Sequence, residues 1–293
     1  MKIGVLIPQG FTGEYSGWDP RLAWARTVRL AQQAEALGFE SIWLFDHFHT
    51  TPEPTQSPVF ESFVALSALA AVTSRVRLGH LVLCAAYRNP ALTAKMISTL
   101  DVVSGGRAEL GIGAGSRRID CVAYGYPFPE APERLARLGD NLEIIGRMLL
   151  GGRSTFAGRF SSVEDALNEP HGLQNPRVPI VVGGNGPERT WRLAARFADE
   201  LNLDDLTPQQ VEDALPIIRR RCKEVGREPA SLSVSVFLSW TRFEAANDVV
   251  GLFRSYQGLG LSRLMTLDRS AVVDDLALER LASAAEMAGL VLG

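Results

Sequence analysis

Cysteine and histidine are both scarce in this sequence, and their scarcity removes whole classes of chemistry. The three cysteines, Cys84, Cys121 and Cys222, lie far apart and are odd in number. Neither a disulfide framework nor a C-x-x-C zinc or redox motif can be drawn through them, a pattern that suits a reducing cytoplasm. Of the four histidines, only His47 and His49 are neighbours; His80 and His171 stand alone. Positive charge is not in surplus either, since 30 Lys and Arg face 33 Asp and Glu for a net charge of -3. That balance leaves no basic footprint for nucleic acid or for an anionic membrane. Long apolar runs are missing as well: FVALSALAAV at 63–72 is about half of what crosses a bilayer. The opening MKIGVLIPQG lacks the h-region and cleavage site of a signal peptide. No targeting segment and no transmembrane helix are expected.

What the sequence does have is alternation. Apolar strand-like runs recur as IGVLI, SIWLF, VRLGHLVL, RAELGIG, VPIVVGG, ELNL, LSVSVFLSW and SRLMTL. Between them lie segments of helical period, expected to start near Pro20, Val59, Pro90, Pro132, Pro187, Pro208, Ala245 and Asp274. Such alternation argues for parallel strands with crossover helices, and the near-continuous apolar character of the strands says that both their faces are covered. Strand and helix pairs in this number, within 293 residues and with no break in composition, match a closed (β/α)8 TIM barrel better than an open sheet. A single domain over 1–293 is expected. The stretch 151–177, rich in Gly, Pro and Asn, reads as an insertion loop with a small hairpin near Gly158.

In such a barrel the active site is built at the C-terminal ends of the strands. SIWLFDHFHT ends a core strand in Asp46, His47 and His49, although an unpaired buried carboxylate is costly. This cluster is either a functional strand end or a capping Asp beside a rim histidine. RAELGIGAGSRRID alternates Gly111, Gly113 and Gly115, which clears one strand face for a flat ligand or for another backbone. VPIVVGGNGPER runs through Gly183, Gly184, Asn185 and Gly186 into a helix, where free backbone N–H groups favour an anion. It has neither the Walker lysine nor the G-x-G-x-x-G spacing, so ATP and NAD are poorly supported. Arg88, after Cys84, either holds an anionic group or pairs with a rim carboxylate.

Taken in order, MKIGVLIPQG, DHFHT, LGHLVLCAAYRNPALTAKMISTLDVVSGGR, GIGAG, AYGYPFP, VEDALNEP and VVGGNGPERTWRLAARFADELN resemble the luciferase-like monooxygenase superfamily, in its branch of coenzyme F420-dependent oxidoreductases. The resemblance implies the same barrel and a homodimer. It implies that Asp46 contacts the deazaflavin ring and that His47 donates a proton or stabilises charge. A cis peptide between Leu81 and Val82 is implied behind the ring, with Cys84 at the cofactor and Gly183, Gly184 and Gly186, flanking Asn185, at its phosphate. Where many relatives carry Trp or a catalytic Glu after GIGAG, this chain has Ser116, Arg117 and Arg118, so a base at that point is not expected. Thr50 and Thr51 follow His49 in place of an aromatic residue, so the resemblance does not extend to glucose-6-phosphate chemistry.

The leading expectation is hydride transfer between F420 and a small organic substrate, in the direction of C=C, C=N or C=O reduction, with His47 handling the proton. His49, Ser116, Arg117 and Asp120 are candidates for the substrate pocket, and the insertion 151–177 and the loop from Phe11 to Asp19 are expected to shape it. One alternative is a monooxygenase using reduced FMN. Another, from a different class, is a metal-dependent amidohydrolase in which His47 and His49 ligate zinc, although such a site needs three or more ligands. A barrel that binds cofactor without turnover is the third.

Overall fold

A computed structural model describes residues 1–293. Its strands are β1 (Lys2–Leu6), β2 (Ser41–Leu44), β3 (Arg77–His80), β4 (Leu83–Cys84), β5 (Ala108–Gly113), β6 (Arg153–Ala157), β7 (Ser162–Leu167), β8 (Ile180–Gly183), β9 (Glu200–Asp204), β10 (Ser233–Leu238) and β11 (Arg263–Thr266). The order β3-β2-β1-β11-β10-β9-β8-β5 closes on itself through a β3–β5 pairing. Each of these pairings is parallel. The result is the closed eight-stranded barrel expected from alternation. No helix is long and apolar enough to cross a membrane.

Local signals set several crossover helices. Asn89 accepts from the amides of Ala91 and Leu92 to start Pro90–Ser104, and Gly105, with φ of 71°, ends it. Thr207 and Gln210 form a capping box ahead of Pro208–Glu224. Four expected starts are displaced, those at Val59 and Asp274 falling at Ser62 and Ala277. The helix placed at Pro187 runs from Thr190 to Phe197, because the glycine turn persists through Arg189. The one placed at Ala245 is two short helices, Trp240–Glu244 and Val249–Arg254. A further helix, Arg118–Ala123, is too short to show a period in the sequence.

The run VRLGHLVL is not one strand. It breaks between β3 and β4, and the Leu81–Val82 peptide there is cis, as the family resemblance implied. The glycines of β5 are what admit this break. A Cβ on Gly111 would lie 1.7 Å from the carbonyl oxygen of His80, and one on Gly113 would lie 2.9 Å from Val82 Cγ2. On the next strand, a Cβ on Gly183 would lie 2.9 Å from Val82 Cγ1. The cleared face therefore receives another segment of this chain and its valine side chain.

The insertion contains the antiparallel hairpin β6–β7, whose turn is closed by Gly158 N–H donating to Ser161 O. Asn168 anchors its end, donating to Ser98 Oγ and Met148 O. No residue of 151–177 reaches the cavity at the C-terminal mouth, contrary to expectation. The reason is topological: the insertion joins the end of the helix Ala131–Leu149 to the start of β8, and so belongs to the opposite end of the barrel.

The barrel interior is layered. At its floor the buried Arg263 faces Glu40, Glu109 and Glu200. Burial pushes Glu200 toward its neutral form; at Glu109 burial is outweighed by Arg263 and Arg77, which hold it below the usual carboxylate range. Trp43 covers Arg263, with the guanidinium 5.1 Å from its ring. Above lies an apolar belt that includes Leu6, Phe45, Leu81, Val181, Phe237 and Met265. The larger apolar core lies between strands and helices.

The Gly111→Ala substitution meets a backbone atom that no rotamer change can move, and should cost about 3 kcal/mol or more. Urea denaturation checks this; wild-type stability in the variant would show that the two segments do not pass so closely.

Candidate active site

A cavity of about 610 Å³ opens at the C-terminal mouth of the barrel. Its wall brings together Asp46, His47, Leu81, Val82, Cys84, Ser116, Arg117, Gly183 and Gly184, all singled out in the sequence. His49, Asp120, Asn185 and Gly186 do not line it.

Asp46 is the most constrained of these side chains. Its Oδ2 accepts from Arg88 Nη1 at 2.8 Å and from the Cys84 amide at 2.9 Å; its Oδ1 accepts from Ser62 Oγ at 2.8 Å and Arg88 Nη2 at 3.0 Å. Burial opposes its charge, but the hydrogen bonds and charge of Arg88 outweigh burial and hold it below the usual carboxylate range. Arg88 thus pairs with carboxylates, Asp46 and Glu61, which settles the choice that the sequence left open. Cys84 is buried and its thiol is pushed up to about 12 by that burial, so it is not a ready nucleophile.

His47 and His49 converge on one buried carboxylate. Their Nδ1 atoms lie 2.8 Å and 3.2 Å from Oδ2 and Oδ1 of Asp120. Arg117 Nε is 3.3 Å from the same Oδ1, and Arg117 also donates to Thr50 O at 2.7 Å. Burial would raise the Asp120 pKa, yet the hydrogen bond from His47 and the charge of Arg117 keep it low. An ionised Asp120 accepts the Nδ1–H of His47, and Nε2 has no protein partner. Phe11 stacks on the imidazole at 4.0 Å between centroids, 15° from parallel. The Phe11 loop is itself gathered by Glu14, which accepts from the amides of Gln9, Gly10 and Thr12. Both histidines thus hydrogen-bond a carboxylate that also serves an arginine. His80 packs in the core against Phe63, held neutral by burial with a pKa near 3, and His171 is on the insertion.

The glycine turn contributes amides. Gly184 N–H is taken by Asn202 O at 3.0 Å, while those of Asn185, Gly186, Glu188 and Arg189 meet no acceptor in the protein. The Asn185 side chain turns aside to the end of β9, bonding the backbone of Asp204 through both its oxygen and its nitrogen.

Phe11, from the loop expected to shape the pocket, also lines the cavity. Sequence reasoning missed Tyr87, Arg134, Asp204, Asp205, Phe237 and Trp240, which line it too; several lie at the ends of strands that were recognised, so extending the strand-end rule to β9 and β10 would have found them. Asp204 is raised by burial and by Asp205, whereas at Asp205 burial is outweighed by Arg242.

With this geometry in place, comparison with known proteins is informative. A family model described as luciferase-like monooxygenase matches residues 1–273. An F420-dependent glucose-6-phosphate dehydrogenase of Kineococcus radiotolerans is 30% identical over 92% of this chain and 78% of its own length. One from Microbacterium testaceum is 38% identical over 57% of this chain, and the match spans 48% of that protein. Among solved structures, an F420-dependent secondary alcohol dehydrogenase in complex with an F420-acetone adduct superimposes with a TM-score of 0.81 at 17% identity, covering 98% of each chain; at that identity the likeness is one of fold.

Removing Arg88 strands a buried carboxylate, so Arg88→Met should destabilise the protein by about 3–5 kcal/mol at neutral pH, and adding Asp46→Asn should recover part of the loss. Because the folded Asp46 pKa is depressed, its contribution is fully present above about pH 3.9 and is lost as pH falls through the lower folded value. Acid denaturation followed by circular dichroism should therefore be less steep in Asp46→Asn than in wild type. An equally steep loss would refute the assignment.

Proposed function

The chain belongs to the luciferase-like monooxygenase family, and on that footing we propose that it is an oxidoreductase that transfers hydride between coenzyme F420 and a small organic substrate. The observation that carries this reading is the arrangement around Val82. Its side chain crosses the glycine cradle of Gly113 and Gly183 into a cavity with His47 among its walls and the glycine turn at its edge. The names of the relatives support F420 as the cofactor. The chain's own residues fit such a group: unclaimed amides in the turn for a phosphate and an apolar wall for a ring system.

A bound deazaflavin would supply or take up the hydride. The protein's part is position and proton. Asp120 fixes the His47 ring by accepting Nδ1–H, which leaves Nε2 to give a proton to the reduced substrate atom or to take one from an alcohol. Phe11 restrains the same ring by stacking. Phe45, Phe237, Trp240 and Leu81 exclude water from the reacting face.

The roles of the sequence candidates divide accordingly. We assign Asp46 to positioning, since its four acceptor directions are filled by protein donors and it holds Cys84 and the adjoining break against the cavity. Arg117 and Asp120 orient rather than bind, while Ser116, exposed at the mouth, and Arg134 are left to meet substrate or cofactor. His49 serves from behind, on the second oxygen of Asp120. Reduction of C=C, C=N or C=O is the favoured direction. The exposed Val64, Leu92 and Val103, at 73%, 52% and 52% on the adjacent helices Ser62–Val72 and Pro90–Ser104, support a homodimer, and the free cysteines support a cytoplasmic setting. Sedimentation velocity should give twice the mass of one chain if those side chains are covered.

Fluorescence titration should show saturable binding of F420 and weaker or no binding of FMN. The opposite order, with oxygen consumed in the presence of reduced FMN, would replace this reading by a monooxygenase. His47→Gln should lower kcat by about 10²- to 10⁴-fold while F420 still binds; unchanged kcat would remove His47 from the mechanism.

A further inference from the structure

Beside the main cavity lies a second hollow, of about 380 Å³. Leu135 lines both, so the two are neighbours across one side chain. The floor of the second is apolar, with Leu135, Leu193 and Val225, and its edge carries Arg189, Arg192 and Arg196. Spacings of three and four residues put these arginines on one face of the segment. Arg196 pairs with Glu143 at 3.2 Å, and Glu188, the one acid in the hollow, is drawn off to Arg221 at 2.7 Å. Arg189 and Arg192 make no ion pair and no side-chain hydrogen bond in the protein; Glu224, which feels the charge of Arg192, is itself bonded to Arg221. In a chain of net charge -3, two guanidinium groups without an ion-pair partner, at helical spacing, repel each other. A ligand with several negative charges would relieve that repulsion.

We propose that this hollow is the binding track for the oligocarboxylate end of the cofactor, an inference that rests on the F420 reading above. Beyond its phosphate, F420 continues as a chain of glutamates, whereas FMN ends at the phosphate. A phosphate seated on the amides of the glycine turn leaves that extension beside Arg189, and Arg192 lies one helical turn further on. The apolar floor carries the methylenes of the chain while the arginines meet its carboxylates. Each exposed pair of this kind contributes about two- to five-fold to affinity and is screened by salt. The hollow therefore selects F420 over FMN by a feature remote from the reacting ring.

The test is equilibrium fluorescence titration of wild type and the Arg189→Gln/Arg192→Gln double variant with two deazaflavins, one carrying the phosphate but no glutamates and one carrying several. Wild type should bind the glutamylated form about ten-fold more tightly at low salt, with the gain fading at high salt. The double variant should bind both forms equally and should melt as wild type does. Equal binding of the two forms by wild type, or a tail-dependent gain that persists in the variant, overturns the inference and leaves the F420 reading intact. Failure of wild type to bind either form overturns both.

Discussion

The carboxylate of Asp46 gathers donors from otherwise separate parts of the chain: the amide of Cys84 on β4, the guanidinium of Arg88 beyond it, and the hydroxyl of Ser62 at the start of the next helix. A buried charge of this kind is tolerable only when every acceptor direction is filled, so its geometry is fixed by its partners and fixes them in turn. Through it, the end of β2 is locked to the irregular passage from β3 to β4. That passage shapes the cavity wall, because it carries Leu81 and Val82 inward.

Space for the passage comes from absence of side chains elsewhere. Gly111 and Gly113 on β5 and Gly183 on β8 leave a trough that a single Cβ would block. Charge and volume thus do complementary work at one spot: Asp46 pulls the segment into register and the glycines let it lie there. The site's other carboxylate, Asp120, repeats the logic at the mouth, where one buried acid organises two histidines and an arginine from different loops. A barrel that keeps its charged floor beneath Trp43 and an apolar belt above it presents these polar groups only at the open end.

The fold was legible because it depends on repetition. Strand-like runs separated by helical period, with caps such as Asn89 and Thr207, require only local sequence to be read, and the barrel then places the strand ends. Asp46, His47 and the glycine turn were legible for the same reason, as polar or side-chain-free residues where a core strand stops. What each of them touches was not. Asp46 read as a ligand contact; it lines the cavity and accepts four hydrogen bonds from the protein. Arg88 read equally as anion holder or ion-pair partner and is the latter. The insertion at 151–177 read as a pocket element but lies at the other end of the barrel.

Sequence by itself determined the strand and helix alternation, the family, and the residue types at the mouth, because these follow from short-range pattern. Only tertiary structure decided that Asp120, 73 residues from His47, holds that imidazole, that the β5 glycines admit Val82, and that Arg189 and Arg192 border the second hollow without an ion-pair partner. The physical reason is that pairing energies and steric exclusion depend on distances of a few ångströms between residues far apart in the chain, and no local pattern records those distances.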